Sequence, residues 1–134
     1  MAVSERYLYG PALDQVLATD NCSGSASGVF FGLPDYKGTI SDVVNSSGVG
    51  VNHGAFNSFG AITTGTMAAD YLFGLAGMNY DPQTGLYRTQ ERLYSPAMGR
   101  FLSPDPTGMA GSGTNLEAYC GNSPAENTDP SGLC

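Results

Sequence analysis

The amino-acid sequence predicts an all-β chain of consecutive antiparallel β-hairpins, with a loop-rich C-terminal segment and at most one short helix. Three observations lead there. The 134 residues include 19 glycines and 8 prolines, while Leu, Ile, Val and Phe together make up less than a fifth of the chain; this is a composition of turns, poor in helix formers. Charged residues are only 13%, about half the usual share, so the chain is not a solvated, self-repelling coil. A turn-forming unit also recurs: Val44-Asn45-Ser46-Ser47-Gly48-Val49, Phe56-Asn57-Ser58-Phe59-Gly60-Ala61, Tyr80-Asp81-Pro82-Gln83-Thr84-Gly85-Leu86 and Tyr94-Ser95-Pro96-Ala97-Met98-Gly99-Arg100-Phe101.

The physics of the unit is local. A short Asn, Asp or Ser opens a turn by bonding backbone two residues on, and a glycine accepts the positive φ that returns the chain. In chain order, Arg6–Tyr9 and Leu13–Leu17 read as a strand pair around Gly10-Pro11, and Val29–Leu33 as a further strand. Thr39–Val44 and Val49–Phe56 read as two arms of one hairpin, and Leu86–Tyr94 as another strand. Residues 20–28 and 107–114 are small-residue loops. Asn115–Cys120 is predicted as a single helical turn capped by Asn115. Asp105-Pro106-Thr107-Gly108 and Asp129-Pro130-Ser131-Gly132 repeat one pattern, with Asp, Pro and Gly where a type I turn prefers them. The chain divides into hairpins over 1–75 and a core segment over 76–134, as one continuous domain.

Charge and motif content exclude several function classes. Five basic residues face twelve acidic ones, for a net charge of −7, and Lys37 is the single lysine. No basic stripe is present to neutralise phosphates, so no nucleic-acid partner is expected. No apolar run reaches the roughly 18–20 residues of a membrane span, and the N-terminus lacks the basic start and apolar stretch of a signal peptide. Cys22, Cys120 and Cys134 show no zinc spacing; one disulfide with a free thiol, or three thiols, are both compatible with the sequence. Asn21 and Asn45 begin Asn-X-Ser sequons in a chain rich in both residue types. Asp35, Asp42, Asp81 and Asp129 are too scattered for a calcium loop. No metal or cofactor is expected.

The combined motifs resemble the Rhs (YD-repeat) proteins. The residues that carry the resemblance are Tyr80-Asp81 through Gly85-Leu86-Tyr87, Gly99-Arg100-Phe101-Leu102-Ser103, Asp105-Pro106-Thr107-Gly108, Asn115-Leu116, Gly121-Asn122-Ser123-Pro124 and Asp129-Pro130-Ser131-Gly132-Leu133. Upstream, Arg6-Tyr7-Leu8-Tyr9-Gly10-Pro11, Asp14-Gln15-Val16-Leu17, Asp35 with Gly38-Thr39, and Asp42-Val43-Val44 resemble the preceding repeats. Such proteins wind β-hairpins into a spiral sheet that forms a hollow shell, often around a C-terminal toxin, and a core domain closes one end. The resemblance implies an aspartyl-type self-cleavage after the Asp-Pro-X-Gly-Leu sequence. Asp105 and Asp129 would then be the catalytic carboxylates and Leu133–Cys134 the scissile bond, with Arg100 holding one carboxylate ionised. The same two aspartates are equally accounted for as turn openers that bond their own backbone.

The sequence departs from that family at Phe56-Asn57, at Leu93-Tyr94-Ser95-Pro96 and at Arg88-Thr89-Gln90-Glu91-Arg92. The implied cleavage point lies directly before Cys134, and the chain is expected to carry no toxin of its own. The expected function is therefore structural and non-enzymatic: a short run of hairpins with little charge to guard its edges, which adds strands between copies and grows into a filament. An orphaned core domain with residual self-cleavage is the alternative. A glycan-binding face built from Tyr7, Tyr9, Tyr71, Tyr80, Tyr87, Tyr94 and Tyr119 is a third reading, against which these tyrosines also suit cross-strand packing ladders. His53, the single histidine, is expected to be structural or to face solvent. The resemblance points to an extracellular or cell-surface location.

Overall fold

In the computed structural model of the chain, residues 5–12, 15–22, 27–65, 73–110 and 114–133 are described. Leu13, Asp14, Tyr71, Cys134 and residues 23–26 and 111–113, within the two segments expected to be loops, lie outside them. Among the described residues, ten strands form two antiparallel meanders. The first holds β1 (Glu5–Tyr9), β2 (Val16–Asn21), β3 (Gly28–Pro34), β4 (Ile40–Asn45), β5 (Gly50–Phe56) and β6 (Ile62–Gly65), each paired with the next. The second holds β7 (Asn79–Asp81), β8 (Leu86–Arg88), β9 (Leu93–Ser95) and β10 (Arg100–Phe101), again in sequence order. All-β architecture and consecutive hairpins are what the turn chemistry predicts.

The turns work as their residues dictate. Asn45 Oδ1 accepts hydrogen bonds from the Ser47 and Val49 amides, at 3.0 Å each, and Asn57 Oδ1 does the same for Phe59 and Ala61. Asp35 makes a third copy of this turn, accepting from Lys37 and Thr39 at 2.8 and 2.9 Å. Each loop closes on a glycine at positive φ: Gly38 at 79°, Gly48 at 76° and Gly60 at 84°. Gly60 has a second reason to be glycine, since a Cβ would meet the Leu75 side chain at 2.6 Å.

The cores follow from strand alternation. Val16, Phe30, Ile40, Val43 and Phe73 bury one face of the larger sheet. In the smaller sheet, Tyr80 faces Tyr87, Tyr87 faces Tyr94, and Tyr94 faces Phe101 across successive strands. Their ring centroids are 5.0, 6.3 and 5.7 Å apart, and Tyr119 stacks on Tyr94 at 4.3 Å. This is the tyrosine packing ladder. Tyr87, Tyr94 and Tyr119 are fully buried in it, whereas Tyr7 and Tyr9 on β1 are exposed. The Tyr87 and Tyr94 hydroxyls donate to the Gly60 and Phe59 carbonyls at 3.0 and 2.7 Å, which ties the Asn57 turn to the smaller sheet.

Two local expectations are corrected. Leu86–Tyr94 is not one strand: it is β8 and β9 joined by a tight turn at residues 89–92, because Thr89 Oγ1 bonds both the amide and the carbonyl of Arg92. Asn115 opens a turn, its Oδ1 accepting the Glu117 amide at 3.2 Å, and does not cap a helix. Helical geometry among the described residues is confined to three-residue 3-10 turns at Leu75–Gly77, Gly108–Ala110 and Cys120–Asn122.

Candidate functional site

Asp105 and Asp129, far apart in sequence, converge on one buried guanidinium, that of Arg92. The Thr89–Arg92 turn directs the Arg92 side chain inward, where it lies over the Phe101 ring with Cζ 3.6 Å from the centroid. Arg92 Nη2 donates to Asp105 Oδ2 at 3.2 Å and lies 3.7 Å from Asp129 Oδ2. Nη1 donates to the Leu116 carbonyl at 3.0 Å, and Nε to the Gly132 carbonyl. Exposure is 4% for Arg92, 4% for Asp105 and 1% for Asp129. Charges this deep persist only when paired and hydrogen-bonded, and here a single cation faces two carboxylates.

Each aspartate divides its oxygens between two tasks. Asp105 Oδ1 accepts from the Thr107 amide at 2.7 Å and from the Thr107 hydroxyl, and its backbone carbonyl accepts from the Gly108 amide at 3.0 Å. Asp129 Oδ1 accepts from the Ser131 hydroxyl at 3.1 Å, the Gly132 amide at 2.9 Å and the Leu133 amide at 3.2 Å. The turn-opening role predicted for Asp-Pro-X-Gly is therefore satisfied by Oδ1, which leaves Oδ2 of both residues turned toward Arg92. The Leu116 carbonyl, which also accepts the Asp105 amide at 2.8 Å, joins the two halves of the site. Leu133, before the implied scissile bond, is held directly by Asp129. Cys134 lies outside the described residues.

Arg100 is placed elsewhere. It sits on β10 beside the inward Phe101, so alternation turns it to the surface, where it pairs with Glu117 at 2.7 Å. Arg92 occupies the position next to the carboxylates. Reading Leu86–Tyr94 as one strand hid it; the available signal was a threonine three residues before an arginine, just ahead of an aromatic strand.

Other candidates resolve simply. His53 Nδ1 lies 2.6 Å from Asp42 Oδ1 across β4 and β5, with both side chains exposed. The hydrogen bond to His53, and then that from Ser41, hold the Asp42 carboxyl below its usual range. Ser41 donates to Asp42 at 3.0 Å, not to His53, so the three do not form a nucleophilic relay. Cys22 is exposed and Cys120 buried, and they are not joined to each other. Among the described residues, no three His, Cys, Asp or Glu side chains are grouped to hold a metal ion, and no helix is long and apolar enough to cross a membrane.

The fold and its buried triad can be set against known proteins. The family profile described as Teneurin YD-shell matches residues 12–118. The tRNA3(Ser)-specific nuclease WapA of Bacillus spizizenii is 31% identical over 97% of this chain, and toxin protein Tse5 of Pseudomonas aeruginosa is 44% identical over 42% of it. The chain spans only 6% and 4% of those proteins. The crystal structure of TcdB2-TccC3 without its hypervariable C-terminal region superposes with a TM-score of 0.75 at 26% identity, covering 87% of this chain and 6% of that one. Meandering antiparallel strands, Asx-opened turns, a cross-strand tyrosine ladder and a match across four-fifths of its residues make this chain a member of the Teneurin YD-shell family, related to Rhs-type toxin-delivery proteins.

Proposed function

We propose that the chain closes one end of a hollow β-shell, and that Asp105 and Asp129, held by Arg92, hydrolyse the peptide bond after Leu133. One observation carries the reading: two buried carboxylates present Oδ2 to a single guanidinium, and one of them grips the Leu133 amide. A carboxylate pair with a proton moving between its members is suited to activating water. One member takes a proton from water as its oxygen attacks the Leu133 carbonyl carbon. The other gives a proton to the departing Cys134 nitrogen as the C–N bond breaks, so one water is consumed and two chain ends appear. Arg92 balances charge and, through the Gly132 carbonyl, steadies the peptide unit that precedes the scissile one. Intact-mass spectrometry of the purified chain tests this. The expected result is time-dependent loss of the terminal cysteine residue, stopped by Asp105→Asn and by Asp129→Asn. A wild-type mass that stays constant refutes it.

A second reading, self-association by strand addition into a filament, is favoured by β1. Among the described strands β1 borders only β2, and its Leu8 and Tyr9 are 59% and 60% exposed. An apolar strand edge is a template for further pairing, with a second copy or with neighbouring repeats. Negative-stain electron microscopy over a concentration series separates the outcomes: filaments that vanish in Leu8→Lys support polymerisation, and discrete particles at every concentration refute it. An extracellular or cell-surface location accords with both readings, and a relative named salivary gland surface protein 1, from Aedes aegypti, supports it.

A further inference from the structure

The geometry points to Thr89 as a positioning residue for this cleavage, acting through Arg92, and to a notch beside it that admits only glycine at position 132. The inference rests on the reading of Asp105 and Asp129 as a hydrolytic pair. Thr89 is buried; its hydroxyl donates to the Arg92 carbonyl at 2.8 Å and accepts the Arg92 amide at 3.0 Å. Those bonds set the turn that sends the guanidinium between the two aspartates.

The same turn grips the C-terminal segment. The Glu91 amide donates to the Ser131 carbonyl at 3.2 Å, and Arg92 Nε to the Gly132 carbonyl. Gly132 has φ +77°, and a Cβ there would overlap Thr89 Oγ1 and lie 3.4 Å from the Arg92 nitrogen. Backbone conformation and space both require glycine. A slip of one residue in either direction would bring Ser131 or Leu133 onto Thr89, and would remove the Gly132 and Leu133 amides from Asp129. Thr89 thus restricts which peptide bond is presented, beyond holding the arginine.

The test compares Thr89→Val, which keeps the shape and loses both hydroxyl bonds, with Thr89→Ser, which keeps the bonds and loses a methyl. Loss of the terminal cysteine is followed by mass spectrometry at a temperature where circular dichroism shows all proteins folded. Thr89→Val should cleave about 10- to 100-fold more slowly, the scale set by small misplacements of a reacting group, and Thr89→Ser should restore the wild-type rate to within about threefold. Hydrogen exchange supplies a readout that a general loss of structure would not move selectively: in Thr89→Val the Gly132 and Leu133 amides should exchange faster while the amides of Tyr87 and Tyr94 stay protected. If wild type cleaves and Thr89→Val keeps pace, or if its Gly132 and Leu133 amides remain protected, the inference is overturned and the hydrolytic pair stands. If wild type does not cleave, both fall.

Discussion

Replacing Arg92 by methionine isolates the energetics of the buried triad. The new side chain is expected to lie over Phe101, with a sulfur–aromatic contact in place of the guanidinium–ring one, so packing is largely retained while the Arg92 charge is lost. Asp105 and Asp129, with side-chain exposures of 0% and 1%, then lose the guanidinium that both Oδ2 atoms meet. Breaking a buried ion pair from one side costs about 3–5 kcal/mol. The Leu116 carbonyl keeps the Asp105 amide, but the Gly132 carbonyl loses its side-chain donor, at about 1 kcal/mol or more. The expected destabilisation is therefore about 4–6 kcal/mol, about a quarter or more of the stability of an ordinary domain. Urea unfolding measures it through tyrosine signals, the chain having no tryptophan, with the dependence on urea concentration unchanged. Adding Asp105→Asn to Arg92→Met should recover about 1–3 kcal/mol. A deficit below about 1 kcal/mol would refute the assignment of Arg92 as the charge that holds both aspartates.

Further expectations concern the rest of the chain. Arg100→Ala should change stability by less than about 1 kcal/mol, since Arg100 and Glu117 pair in solvent; a loss as large as that of Arg92→Met would show that Arg100 belongs to the site. Asn57→Ala removes the acceptor of two turn amides and should lower the urea midpoint by the equivalent of about 1–2 kcal/mol, while Asn57→Asp should retain most of it; equal losses would mean that the side-chain oxygen is not what makes the turn. Burial raises the Tyr87, Tyr94 and Tyr119 hydroxyls well above the ordinary tyrosine value. Their contribution to stability is complete below about pH 10 and is lost as pH climbs from there toward their folded-state values. Ultraviolet titration should show these three ionising only with unfolding, and phenolate formation by all tyrosines in a folded protein would contradict their placement.

Local chemistry made much of the fold legible. Asn45 and Asn57 bond their own loops wherever the chain lies, and Gly48 and Gly60 accept positive φ without outside help. The alternation of Thr39–Val44 and Val49–Phe56 survives as β4 and β5 with boundaries moved by about one residue. Where reading failed, a side chain had competed with the ladder: Thr89 closes a turn inside an apparent strand, and Asn115 closes one where a helix cap was expected. Neither competition leaves a distinct trace in periodicity, because both residues are ordinary in the structures they displaced.

The candidate site divides in the same way. Asp105 and Asp129 are identifiable from the repeated Asp-Pro-X-Gly, because a turn opener is defined by neighbours two and three residues away. That they meet, and that Arg92 and not Arg100 lies between them, depends on contacts spanning 13 and 40 residues. The Asx-opened turns at Asn45 and Asn57, the β4–β5 hairpin and the all-β character were determined by the sequence alone, since each rests on interactions within a few residues or on strict two-residue alternation. Which arginine is buried, which carboxylate oxygen it meets and which glycine has no room for a Cβ were decided only by the tertiary structure, because desolvation and close packing depend on what the rest of the chain brings to the same place.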